Sequence, residues 1–434
     1  MDSPNKQFES LYPENTREEE VKKLLEIIRS GRSAQIVGIP GSGKSIFLRL
    51  LAYNKNLRLK HLGETQKFVH FTLMDFSEMK KRPLFDVIKF MLISLSYSLG
   101  ERGLKALQAE VNNTLKDALS FNDELILFQA LKRSVDFLAV EKKMTLIFLF
   151  DRFFEYIPFI DQRFFLNLKI LRNQAKYRFS TFFSLPRPLE ELLEPSLLSE
   201  YYEFVAGNII YLPFYDPVGL DFRLSYLEKV THKKVSVQTK KELIELTGGH
   251  GKLMRVGFEI LLSEKSQDNL REFLLTKSSI KASLFEIWNS LSVQEQEELK
   301  RGHEAEYLAK TGLLKNGKAA IPLLEEFIKK LPQKNEPIIF DPDKNEIRRG
   351  EEDFTEKLSP SEFRLFKFLI VNRDKTCSKE EIISNVWKDT QTQEGVTDQA
   401  LDQIIYRLRK KIEPDPSNPT RILTVKGRGY KFSD

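Results

Sequence analysis

One stretch of the chain, Gly38-Ile-Pro-Gly-Ser-Gly-Lys44-Ser45, fits the pattern G-x-x-x-x-G-K-[ST] at every defined position. The apolar run Ala34-Gln-Ile-Val37 precedes it and a helical pattern from Ile46 follows. Glycines let the backbone curl so that successive N–H groups face phosphate oxygens, and the positive end of the following helix adds to that field. Gly38, Pro40, Gly41, Ser42, Gly43, Lys44, Ser45 and Ile46 are therefore the candidate phosphate-binding residues. Lys44 would reach the β and γ phosphates, and the Ser45 hydroxyl would ligate magnesium. The same chemistry needs a carboxylate at the end of a neighbouring strand to hold that magnesium, and Leu146-Ile-Phe-Leu-Phe-Asp151 supplies one. Lys44 and Asp151 are thus the candidate catalytic pair, Ser45 and Asp151 the candidate metal ligands, and ATP with Mg2+ the implied cofactors.

The position after Asp151 is Arg152, and a cation cannot take a proton from an attacking water. Glu155 is near in sequence and is a substitute acceptor in principle. Slow hydrolysis, or hydrolysis completed by a partner, is the expectation.

These residues need elements to hold them. Short β-branched and aromatic runs alternate with helical patterns from residue 34 to about 213, which predicts a parallel sheet covered by helices. Strands are expected near Ala34–Gly38, Phe68–Leu73, Met144–Phe150, Phe179–Ser184 and Ile209–Leu212. From about Pro217 to Lys330 the periodicity is helical, predicting a helical lid and a small helical or winged module. Leu331-Pro-Gln-Lys-Asn-Glu-Pro337 reads as a linker, because its two prolines cannot continue a helix. The expected domains are therefore 1–216, 217–330 and 338–434, joined by 331–337.

Composition is that of a globular chain, with 41% hydrophobic and 30% charged residues. No apolar run is long enough to cross a bilayer, the start lacks a secretory pattern, and a lone cysteine, Cys377, cannot pair internally. A cytoplasmic protein with no membrane partner is expected. The net charge of +6 permits an anionic partner without requiring one. The scattered histidines and single cysteine give no zinc-type spacing.

Residues 338–434 carry their own signals. Ser359-Pro-Ser-Glu362 and Ser378-Lys-Glu-Glu381 are capping boxes that open amphipathic helices. A third helix, from about Asp398 to Ile412, turns Leu401, Ile405, Leu408 and Ile412 to a core. Gln399, Gln403, Tyr406 and Lys410 fall opposite, with Arg407 on the flank. Arg421 to Phe432 alternates as a hairpin with Gly427-Arg428-Gly429 at its tip. Three helices and a hairpin make a winged helix. Arg407, Arg409, Lys410, Lys411, Arg421, Lys426, Arg428 and Lys431 are opposed in this stretch only by Glu413, Asp415 and Asp434, a local basic face suited to a DNA groove. Gln399, Gln403 and Arg407 are placed for base edges, Tyr406, Lys410 and Lys426 line the same face, and Arg428 would probe the minor groove.

Two resemblances sharpen this reading. Roughly residues 10 to 330 resemble the STAND and AAA-like signalling ATPases, through the glycine loop and the Arg17-Glu18 pair ahead of it. That likeness implies that Arg17 helps to hold the adenine and that Arg187, in Ser184-Leu-Pro-Arg187, is a basic sensor near the phosphates. Thr247-Gly-Gly-His-Gly251 corresponds to the turn that opens the family's lid helix, with glycine where proline is usual, and Lys252 and Arg255 follow it as candidates for the γ-phosphate. Thr311-Gly-Leu-Leu314 resembles the family's small winged module. Ile338 to Phe432 resembles the OmpR/PhoB-type effector domain of bacterial response regulators, through Leu358-Ser-Pro-Ser-Glu362, Val386-Trp387, Ile405-Tyr-Arg-Leu-Arg-Lys410 and Thr424-Val-Lys-Gly-Arg-Gly-Tyr430. Tyr406 stands where that family often has another arginine.

The expected architecture is α/β, a P-loop NTPase sheet with a helical lid, then a small helical or winged module and a C-terminal OmpR/PhoB-type winged helix. The implied function is transcription regulation controlled by nucleotide. The implied partners are double-stranded DNA and ATP or ADP, with a second copy of the chain and RNA polymerase as further candidates. Rival readings are an initiator-type DNA-replication or remodelling ATPase, which DNA-stimulated hydrolysis would favour, and a STAND stress or antiviral sensor, which would depend on a protein trigger.

Overall fold

The structure is a computed structural model that describes residues 7–264, 269–303, 305–331, 338–349, 352–387, 397–413, 416, 419–425 and 427–433. The chain divides into two compact units, Met1–Lys329 and Lys330–Asp434. Most of the expected linker, 332–337, lies outside the described residues.

The first unit is built on a five-stranded parallel sheet: β1 (Ala34–Val37), β2 (Val69–Asp75), β3 (Thr145–Asp151), β4 (Phe179–Leu185) and β5 (Ile209–Tyr211). The strand order is β2-β3-β4-β1-β5. β1 lies between β4 and β5, pairing Val37 with both Leu185 and Tyr211. Strand connections diverge beside β1, so ligands are expected at its carboxyl end. β1 and β4 are buried along their whole length and β3 from its second residue on, the pattern of strands covered on both faces. One face packs on Phe47, Leu48 and Leu51 of the helix Lys44–Tyr53. The sequence reading ends β2 at Leu73 and begins it at Phe68. Instead Phe68 closes a 3-10 turn, half exposed, and the strand runs on to Asp75 in register with Asp151.

Between β2 and β3 the chain forms three helices, Leu84–Glu101, Lys105–Leu119 and Glu124–Asp136. After β5 come Pro217–Thr231, Val237–Thr247 and Gly251–Ser263, then five further helices among the described residues from Leu270 to Lys329. Inserted among these is a hairpin, β6 (Leu314–Lys315) and β7 (Lys318–Ala319), at the stretch expected to form a small wing. No helix among the described residues is long and apolar enough to cross a membrane.

The second unit opens with a three-stranded antiparallel sheet of β8 (Ile338–Asp341), β9 (Glu346–Arg349) and β10 (Glu352–Asp353). Three helices follow, Pro360–Val371, Lys379–Val386 and Asp398–Ile412. The serines at 359 and 378 cap the first two as the sequence predicts, Ser359 in a complete capping box with Glu362. A second small sheet contains β11 (Thr376–Cys377), β12 (Ile422–Val425) and β13 (Gly429–Phe432), in the order β11-β13-β12. The terminal hairpin is thus anchored on a third strand that sequence alone did not suggest. Leu365, Phe366, Leu369, Ile382, Leu401, Ile405, Leu408 and Phe432 form the core of this unit.

Candidate functional site

The glycine loop leaves β1 and enters the helix Lys44–Tyr53 with Gly41 and Gly43 at φ +77° and +95°, angles that L side chains rarely adopt. The N–H groups of Lys44, Ser45 and Ile46 open that helix and have no backbone acceptor among the described residues. Ser42 is buried and its Oγ has no hydrogen-bond partner there either. A Cβ on Gly38 would lie 2.8 Å from Ser42 Oγ and 3.1 Å from Leu212 O. Unsatisfied donors at a helix N-terminus, in a cradle that only glycine permits, make an anion-binding loop.

Charge inside the loop comes from Lys44. Its amine donates to Gly38 O at 2.5 Å and Ile39 O at 3.0 Å. Burial pushes its pKa down to about 8. Ser45 Oγ donates to Asp151 Oδ1 at 2.9 Å, and Arg152 N donates to the same oxygen at 2.9 Å. Asp151 is 2% exposed and burial holds its pKa above the usual carboxylate range, although the Ser45 bond opposes this and Asp75 adds to it. A hydroxyl and a carboxylate in direct contact beside the loop are the donor set that a hard divalent cation and its phosphate ligand require. Magnesium and a nucleoside triphosphate fit these residues. Among the described residues no cluster of three or more His, Cys, Asp or Glu could hold a metal without such a ligand.

Around the loop, the protein itself takes up several of the expected ligand residues. Arg17, 8% exposed, donates to Pro213 O and to Ser42 O, the latter at 2.8 Å, and its Nε lies 3.7 Å from Asp216. It therefore ties the loop to the start of the helix Pro217–Thr231. Burial lowers its pKa, and the Asp216 carboxylate opposes that. Arg187 follows β4 but is engaged by the helical module. Its guanidinium pairs with both oxygens of Glu295, donates to Ser290 O at 3.1 Å, and stacks 4.3 Å from the Tyr307 ring centre. Lys252 pairs with Glu286 and Arg255 with Glu259.

Two residues at the loop carry more than the sequence reading gave them. His250, fully buried, has Nε2 2.8 Å from Pro40 O, and its Nδ1 accepts from Leu253 N, capping the helix Gly251–Ser263. With Nδ1 accepting, the proton sits on Nε2 and is donated to Pro40 O. Burial, opposed by that bond, pushes the ring's pKa down to about 4 and keeps it neutral. The lid helix is thereby pinned to the phosphate loop. A histidine set between glycines at a helix start, Gly248-Gly-His-Gly251, was the available signal. Asp75 is the other: it ends β2 directly beside Asp151.

In the second unit the helix Asp398–Ile412 buries Leu401, Ile404, Ile405, Leu408 and Ile412 and exposes Gln399, Gln403, Tyr406, Arg407 and Lys410 along one side. Tyr406 is 54% exposed, with Lys410 Nζ 4.6 Å from its ring centre. Arg428 is exposed in the turn between β12 and β13, while Lys426 lies outside the described residues. The basic face is narrower than charge counting suggests. Arg409 donates to Ile422 O and Thr424 Oγ1, Lys411 to Lys357 O and Glu362, and Arg421 is buried. Lys431 lies 3.5 Å from Asp374. Arg409, Lys411 and Lys431 thus fasten helix, wing and turn through acceptors of the domain itself, and Arg421 is turned inward. Glu413 is likewise structural, accepting from the N–H groups of Thr420, Arg421 and Ile422.

The strand order and loop make the first unit a P-loop-type α/β fold, and the second unit is a winged-helix domain of the OmpR/PhoB type. Residues 353–432 match the family "Transcriptional regulatory protein, C terminal". The phosphate regulon transcriptional regulatory protein PhoB of Escherichia coli is 34% identical over 94 residues, which are 22% of this chain and 38% of that protein. Protein PetR of Rhodobacter capsulatus is 32% identical over 99 residues, 22% of this chain and 41% of its own length. The chain thus spans well under half of the curated relatives it matches. Among solved structures, the Walker-type ATPase PABY2304 of Pyrococcus abyssi aligns at TM-score 0.41 and 16% identity, covering 75% of this chain and 98% of that one. The Aeropyrum pernix ORC1 protein in complex with DNA aligns at TM-score 0.35 and 13% identity, covering 96% and 88%.

Proposed function

We propose that this chain is a cytoplasmic transcription regulator in which ATP held at Gly38–Ser45 controls sequence-specific binding of double-stranded DNA by the winged helix. The observation that carries the nucleotide half is the Ser45–Asp151 contact at the mouth of a glycine cradle with unsatisfied N–H groups. Gly38, Pro40, Gly41, Ser42, Gly43 and Ile46 surround the phosphates, Lys44 neutralises them, and Ser45 and Asp151 hold Mg2+. Ser45 and Asp151 would hold the magnesium, whose charge would screen that of the phosphates. Arg17 holds the loop to the start of the helix Pro217–Thr231, on the side where it would also help to hold the adenine. Arg187 and His250 tie the sheet edge and the loop to the helices after residue 217, so those helices are the elements that a change at the phosphates reaches first. The DNA half rests on the match over residues 353–432 and on the exposed row of Gln399, Gln403, Tyr406, Arg407 and Lys410, with Arg428 and Lys426 at the wing.

Selection of bound sites from a random duplex pool, followed by affinity measurement with ATP, with ADP and without nucleotide, tests this reading. Affinity for the enriched site is expected to change between ATP and ADP in the native chain, and to be insensitive to nucleotide in Lys44→Ala. Arg407→Ala is expected to lose about 1–3 kcal/mol and to relax the preference at one base position. Equal affinity in all nucleotide states of the native chain would remove the switch and leave a plain DNA-binding protein.

A further inference from the structure

Arg152 does more than occupy the place of an absent acid. Its backbone is left-handed, at φ 52° and ψ 31°, where the chain turns sharply out of β3. From there its Nε reaches Asp75 Oδ1 at 3.2 Å and Glu155 Oε1 at 3.3 Å. Asp75 is in register with Asp151 across the β2–β3 pair, and its charge helps to raise the pKa of Asp151. Asp75 Oδ1 also accepts from Ser77 N at 3.1 Å and Ser77 Oγ at 2.7 Å. One guanidinium therefore engages the carboxylates that flank Asp151 at the carboxyl edge of the sheet.

We propose that Arg152 is a restraint on hydrolysis, a clamp that withholds Asp75 from accepting the proton of an attacking water. This rests on the nucleotide reading given above. In the hydrolysis of a phosphoanhydride, the water oxygen bonds to phosphorus, the bridging oxygen leaves with the electron pair of the broken bond, and the water proton passes to a base. The guanidinium and both Ser77 donors converge on Asp75 Oδ1, so that oxygen is turned to the protein and held away from a water. Arg152 is 45% exposed and Asp75 31%, so the clamp faces solvent and is weak enough for a partner surface or a local movement to open it. The switch would then keep its triphosphate until the clamp is released.

The test uses the full chain with Arg152→Ala and Arg152→Gly; glycine also eases the left-handed backbone, so agreement of the two separates charge from strain. Without nucleotide, removing the cation beside Asp75, Asp151 and Glu155 is expected to tighten Mn2+ binding several-fold, read by the loss of free-ion paramagnetic resonance. With ATP, single-turnover hydrolysis is expected to rise by about 10²-fold in both variants. That gain should vanish in Arg152→Ala/Asp75→Asn and persist in Arg152→Ala/Glu155→Gln. Unchanged Mn2+ affinity and unchanged hydrolysis, with ATP binding intact and dependent on Lys44, would overturn the clamp. A gain that depends on Glu155 and not on Asp75 overturns the assignment of the acceptor. ATP binding that is equally absent in the native chain and in Lys44→Ala would instead remove the nucleotide reading, whatever the Mn2+ result.

Discussion

At the scale of single residues, burial and a phosphate pull the Lys44 amine in opposite directions. In the free chain its pKa is about 8 because desolvation penalises the ammonium; a bound phosphate would restore the charged form. Below pH 8 the amine is charged before and after binding, so ATP affinity is expected to be flat there. Above that value binding must take up a proton, and affinity is expected to fall by up to about tenfold per pH unit until the bound-state pKa is passed. Calorimetric titration between about pH 7 and about pH 9.5 checks this, and Lys44→Arg, whose charge does not titrate there, should flatten the profile. Lys44 and Ser45 were legible in the sequence because a strand, a glycine loop and a helix start fix them locally, and Asp151 because it closes an apolar run read as a neighbouring strand, 106 positions from Ser45. Arg17 was legible as a residue, whereas its bond to Pro213 was not, since that acceptor lies 196 positions away. Asp75 was missed because the reading stopped β2 at Leu73, where the apolar alternation gives way to Met74 and Asp75.

Among elements, the wing depends on one buried carboxylate. Glu413 ends the helix Asp398–Ile412 and accepts from three successive N–H groups at the start of β12, with Ile422 N at 2.7 Å. Glu413→Ala would leave those donors unsatisfied, and a loss of about 3 kcal/mol in the stability of residues 330–434 is expected, read by chemical denaturation. Glu413→Gln, which keeps acceptor capacity, should lose less. A Glu413→Ala chain as stable as the native one would show that the turn is held otherwise. The helices of this unit were readable from their capping serines and 3.6-residue period, and the hairpin from its alternation. The strand Thr376–Cys377 was not, because two residues show no periodicity; only tertiary pairing with Lys431 and Tyr430 makes it a strand. Gly429 belongs to that junction: at φ +122°, a Cβ there would sit 2.0 Å from Cys377 O. In the first unit, the five expected strands all form, with ends displaced by one or two residues: β1 and β5 stop one residue short, while β2, β3 and β4 run on past their expected ends.

For the whole molecule, two units with separate hydrophobic cores are expected to unfold in two transitions. Saturating ATP should raise the transition of residues 1–329 by several degrees and leave Lys44→Ala unmoved, while a specific duplex should raise the other. Differential scanning calorimetry reads both; a single transition that both ligands shift equally would show one cooperative unit. Domain count was readable from the change from alternating to helical periodicity and then to a second set of capping signals. What local sequence could not convey is how the lid helices meet the phosphate loop, because that meeting depends on a side chain that is missing. Gly41 leaves room for the His250 imidazole, and a methyl group in its place would come within 2.5 Å of the ring. A substitution there would act as a doorstop, prising the helix Gly251–Ser263 from its seat whether or not any nucleotide is present. Gly41→Ala should therefore mimic an opened molecule, and its behaviour on DNA would report the lid's own influence apart from that of ATP.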